Sequence, residues 1–98
     1  MKEKQFYVYI LAKGRNSTFY TGFSENLPKR VLEHKNKVAD GFTRKYHVEN
    51  LVYFEIYNDR ETGLNREKQL KKWHRTWKMR IIEEMNPDWK DLYETICQ

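Results

Sequence analysis

A chain of 98 residues with 39% hydrophobic and 15% aromatic content fills one small core, which excludes a second domain and wholesale disorder. Its 19 Lys+Arg against 14 Asp+Glu leave a net charge of +5, a balance that favours anionic partners such as nucleic acid. The single Cys97 permits no intramolecular disulfide and fits a reducing cytoplasm; "MKEKQFYVYIL" lacks the length and cleavage site of a signal peptide, and nothing approaches the ~20 apolar residues that span a bilayer.

Residues 5–11, "QFYVYIL", are β-branched and aromatic and predict a strand. Turn-rich "AKGRNST" (12–18) separates it from "FYTGF" (19–23), so the two strands form an antiparallel hairpin. Alternation sets Tyr7, Tyr9 and Leu11 on one face, and Tyr20 with Gly22 on one face of the second strand. If the registers match, Tyr9 and Tyr20 face the same way. Glycine inside a strand weakens it and marks a bulge or a close approach by another group.

"SENLPKRVLEHKN" (24–36) opens with capping residues and Pro28 and predicts a helix of two to three turns. "KVADGFTRKYHVEN" (37–50) is expected as a polar loop, and "LVYFEIY" (51–57) as a third strand. Asn58 or Asp59 caps a helix from about Arg60 to Arg75. A further helix, continuous with the last or kinked from it, covers 76–85 and stops at "NP" (86–87). "DWKDLYETI" (88–96) adds a short turn packed by Trp89 and Leu92. The order β-β-α-β-α-α defines one α+β domain over 1–98, a small three-stranded sheet flanked by helices.

Polar residues fall on stripes that ought to be apolar. Leu27, Arg30, Val31 and His34 share one face of the first helix, so Arg30 and His34 come to the edge of the core. They are either a snorkelling arginine and a satisfied boundary histidine, or site residues. Glu67 lies between Leu64 and Leu70 on the helical wheel, near Gly63. Burying a lone carboxylate is costly, so Glu67 either pairs internally with Lys71 at i+4 or serves as a metal ligand or catalytic carboxylate.

Residues 66–80, "REKQLKKWHRTWKMR", hold seven Lys+Arg against one acid. The excess, with Lys68, Lys71, Lys72 and Arg75, suits salt-sensitive phosphate contacts, while the interleaved Trp73 and Trp77 are expected in the core. "FTRKY" (42–46) is an ordinary loop or, through Arg44 and Lys45, a basic and aromatic lip on a nucleic-acid groove. There is no Cys/His cluster for zinc, no Gly-rich phosphate loop and no convincing nucleophilic triad.

"YVY" (7–9), ten intervening residues, then "YTG" (20–22) resembles the paired motif of the GIY-YIG endonuclease superfamily. Arg30 in "NLPKRVLEHK" and Glu67 in "REKQLKKW" stand where that family carries its arginine and its metal-binding glutamate. The chain is most similar to the small single-domain bacterial members, which end in segments like "NPDWKDLY" (86–93), and the likeness covers nearly the whole chain. Tyr7 replaces the motif's first glycine and Thr21 an isoleucine. Phe23 and Ser24 follow Gly22 where DNA-repair relatives often have a lysine, a role left to Lys13 or Lys45.

The resemblance implies a nuclease that hydrolyses phosphodiester bonds with one divalent metal, Mg²⁺ or Mn²⁺, held by Glu67. It implies Arg30 stabilising charge on the phosphate, Tyr9 or Tyr20 orienting or deprotonating the attacking water, and His34 assisting. A phenol that titrates near ~10 needs a lowered pKa to act as base. Gly22 leaves room beside the tyrosine pair. The implied substrate is DNA, with RNA left open, cut by structure in repair or recombination in the cytoplasm, with targeting by a partner protein and no membrane. The alternative is a nucleic-acid-binding module that does not cleave.

Overall fold

A computed structural model of the chain describes residues 4–37 and 41–97, without the side chains of 42–44. The elements run β1 (Phe6–Ala12), β2 (Phe19–Ser24), α1 (Leu27–Lys35), α2 (Gly41–Tyr46), β3 (Asn50–Tyr57), α3 (Arg60–Lys72), α4 (Arg75–Met85) and α5 (Tyr93–Ile96). The expected order holds, with two short helices added. The sheet runs β2-β1-β3 with both pairings antiparallel, so the first strand is the central one.

The hairpin register sets Tyr9 opposite Gly22 and Leu11 opposite Tyr20. Tyr9 and Tyr20 therefore share a face, as the alternation requires. The Ser17 hydroxyl closes the turn, accepting from the amides of Lys13 (2.9 Å) and Gly14 (3.0 Å). A register shift between β1 and β3 after Ile10 lets the consecutive Val52 and Tyr53 both pack on the Ile10 side.

Each face of the sheet carries its own layer. On the Tyr9 face, Leu27 and Val31 of α1 form a core with Leu11, Val48 and Leu51, and Leu92, Tyr93 and Ile96 close it from the C-terminal segment. On the other face Ile82 of α4 joins Ile10, Ala12, Val52 and Tyr53, and α3 lies against β1 and β2. That close approach needs Gly63, where a Cβ would stand 2.8 Å from the Phe23 ring.

Helix ends follow their caps. The Asn26 side chain accepts from Lys29 N at the start of α1, with Pro28 in the first turn. Asp59 accepts from Thr62 N (2.8 Å) at the start of α3. Trp73 and His74 are both extended, so α3 ends at Lys72, short of the expected Arg75, and the expected further helix, α4, is separate rather than continuous with it. No proline or glycine marks that break. Segment 37–50, expected as a loop, contains α2; at six residues it is too short for periodicity to reveal.

The expectation that Trp73 and Trp77 sit in the core is overturned: Trp73 is half-buried and Trp77 is 52% exposed. Core space on that face is filled by Ile82, Ile81, Phe19 and Trp89 instead. The final segment is clamped to β3. Asn86, buried, donates to the carbonyls of Val52 (3.2 Å) and Lys90 (2.7 Å). The Asp91 carboxylate accepts from the Leu51 amide (3.0 Å) and pairs with Lys35.

Candidate active site

Tyr9 comes from the central strand and has no exposed surface. Its phenol lies over Gly22: a Cβ there would be 2.5 Å from both Cζ and the hydroxyl oxygen, and 3.0 Å from the Tyr20 ring. The space left beside the tyrosine pair is thus filled by Tyr9 itself. Threading the ring across β2 brings its hydroxyl to α1, where it shares a 3.1 Å hydrogen bond with His34 Nε2.

His34 is buried because Val31 and Leu27 on the same helical stripe seek the core. Its ring lies 5.1 Å from Tyr20 and 6.0 Å from Tyr9 between centroids. Arg30, one turn earlier, reaches the same phenol and also holds Glu33 Oε1 at 3.4 Å. Burial pushes the Tyr9 hydroxyl well above the ordinary phenol range. Arg30 opposes this, Tyr20 and Glu67 add to it, and burial wins. The condition set for a tyrosine base, a lowered pKa, is therefore not met at Tyr9 in the protein alone. Tyr9 keeps its proton at neutral pH.

Glu67 enters from α3, in the opposite layer. Its side chain is only 15% exposed, and its charge acts on the Tyr9 phenol past β2, the edge strand that is bare at Gly22. Of the two sequence readings of this residue, the internal pair is formed: Lys71 Nζ stands 3.2 Å from Glu67 Oε2. Among the described residues no group of three or more His, Cys, Asp or Glu could cage a metal. A single recessed carboxylate fits Mg²⁺ or Mn²⁺, because such ions keep most of their waters and take substrate phosphate as ligand.

Lys45, Lys68, Lys71, Lys72 and Arg75 are all exposed. Arg75 is engaged, donating to the Arg15 carbonyl at 2.6 Å and lying 3.9 Å over the Phe19 ring. Arg44 falls outside the described side chains. Lys13 is exposed at the end of β1.

Sequence reading missed a second polar cluster. Glu55 on β3 is gripped by Arg66 of α3 (Nε–Oε1 2.9 Å, Nη2–Oε2 3.0 Å) and accepts from the hydroxyls of Tyr53 and Tyr57. Burial raises the Glu55 pKa, but Arg66 and the two hydroxyls together bring it below the usual range. The Tyr-x-Glu-x-Tyr alternation along β3 was its only local signal.

The layered α+β fold gathers Tyr9, Tyr20, Arg30 and His34 on one side of the sheet, with the Glu67 charge acting on Tyr9 from the other. The profile of the GIY-YIG catalytic domain matches residues 5–94, and the chain belongs to that family. A UPF0213 protein of Clostridium perfringens is 38% identical over 76 residues, covering 78% of this chain and 81% of the relative. UPF0213 proteins of Staphylococcus saprophyticus (31% identical, 80% and 94% covered) and Syntrophus aciditrophicus (36% identical, 84% and 93% covered) are similar as well. No solved structure matches with significance.

Proposed function

We propose that the chain is a cytoplasmic, divalent-metal-dependent endonuclease that hydrolyses phosphodiester bonds in DNA. The observation that supports this most is the meeting of Tyr9, Arg30 and His34 from one side of the sheet with Glu67 from the other, within a family of nuclease type. Glu67 holds the ion, which supplies Lewis-acid polarisation of the phosphate when bound. Arg30 clamps the phosphate and stabilises the charge that builds on it. Tyr20, the less buried of the two tyrosines, orients the attacking water, while the sealed Tyr9 positions His34 and Arg30 through its hydroxyl. As the water oxygen bonds to phosphorus, the phosphorus–ester oxygen bond breaks, and the proton lost by the water is taken up through solvent by the departing oxygen. We place the activity in repair or recombination, with selectivity set by DNA structure and targeting by a partner protein.

The test is nicking of supercoiled and branched DNA with Mg²⁺ or Mn²⁺. Glu67→Gln and Arg30→Ala should each lower the rate at least ~100-fold. Equal rates in native protein and Glu67→Gln would sink the assignment. The Lys71–Glu67 ion pair favours a second reading, a nucleic-acid-binding module whose carboxylate is occupied by lysine. That reading expects salt-sensitive DNA binding, identical in both proteins, and no cleavage with either metal.

A further inference from the structure

We propose that Trp77 is a stacking platform for an unpaired nucleobase, so that the substrate carries single-stranded nucleotides. This rests on the nucleic-acid reading above and names the substrate class within it. Half-exposed tryptophans are common and usually mean nothing. This one is held in place. Trp77 meets Trp73 edge to face at 5.6 Å and 83°, and His74 flanks it at 6.3 Å. Together with Arg80 and Ile81 the two indoles line a cleft of about 320 Å³. The Arg66 guanidinium covers Trp73 at 4.9 Å, and Arg66 is itself fixed by Glu55, which Tyr53 and Tyr57 hold. A row of charge-assisted hydrogen bonds thus runs from β3 to an aromatic ring that the core does not use.

The surroundings select the occupant. Of the seven cations in residues 66–80, Arg66 pairs with Glu55 and Lys71 with Glu67, and the excess that remains attracts a phosphate backbone where it does not attract an apolar or basic peptide. Bases within a duplex are already stacked and offer no face; an unpaired base does, and indoles accept any of the four.

The experiment compares binding of a forked DNA with unpaired arms and a fully paired duplex of equal phosphate number, in EDTA so that neither is cut. The native protein should favour the fork about tenfold, with quenching of its tryptophan fluorescence. Trp77→Ala should lose about 5- to 100-fold on the fork and bring the two affinities together, while Trp77→Tyr keeps the preference. Equal fork and duplex affinities in the native protein, or a fork preference that survives Trp77→Ala, would overturn the platform and leave the nuclease reading standing. Failure of the native protein to bind either DNA overturns both. A native dimer that Trp77→Ala converts to monomer makes the indole a self-association surface and also overturns the proposal.

Discussion

Two neighbouring residues of β2 show opposite demands. At Thr21 the hydroxyl is buried and, among the described residues, has no hydrogen-bond partner. An unsatisfied buried hydroxyl costs ~1–3 kcal/mol, and valine has nearly the same shape. Thr21→Val should therefore stabilise the protein by ~1 kcal/mol and raise Tm by roughly 4–8 °C without lowering cleavage. A lower Tm would mean that the hydroxyl has a partner. At Gly22 the position tolerates nothing larger. Gly22→Ala sets a methyl 2.5 Å from the Tyr9 phenol, so the ring must leave its slot and the His34 bond must break. The expected cost is ~1–3 kcal/mol of stability, with cleavage falling much further than stability does. Full activity in Gly22→Ala would show that the phenol's position is unimportant.

Among the elements, α3 matters most, because it carries Glu67 and docks through Gly63. Gly63→Val places branched carbon against the Phe23 ring and should push the helix off β2, costing ~1–3 kcal/mol and lowering cleavage. Asp59→Ala is the control: it removes the cap bond to Thr62 N, costs ~1 kcal/mol and leaves the docking, so cleavage at a temperature where it stays folded should be kept. Equal activity loss in both would make helix stability, not position, the controlling factor. The strands, α1 and the caps were legible in the sequence because alternation, Pro28, Asn26 and Asp59 are local signals. A further helix after α3 was legible, but the position of the break at Trp73 and His74 was not, since it has no helix-breaking residue. Nor was the Glu55–Arg66 pair, which joins two elements 11 residues apart. Likewise Tyr9, Tyr20, Arg30, His34 and Glu67 could be picked out by their order. That Tyr9 is sealed and keeps its proton could not, because burial depends on how Gly22 is roofed.

At the scale of the molecule, burial of neutral phenols sets the alkaline limit. Burial raises Tyr9 and Tyr53 well above the ordinary range, and burial with the Glu55 bond pushes Tyr57 up to about 12. Unfolded tyrosines ionise near ~10, whereas these stay protonated in the fold, so their contribution is complete below ~10 and is lost as pH rises from there through about 12. Circular dichroism followed upward in pH should hold to ~10 and then fail together with the last step of phenolate absorbance. Complete ionisation of the tyrosines before any loss of structure would contradict the burial. The proposed site also draws on both layers, Arg30 and His34 from one side and Glu67 from the other, so cleavage should report docking of the whole domain rather than of any one helix.

The glycine opposite Tyr9 also polices how the hairpin zips. If β2 slipped by one residue, Tyr9 would face Thr21 or Phe23, and every side chain of the strand would turn to the wrong layer. Only the native alignment offers the ring a bare stretch of backbone to cross. The residue that makes room for the phenol thereby penalises misaligned hairpins, and a chain that pairs its first two strands wrongly cannot assemble the cluster at all.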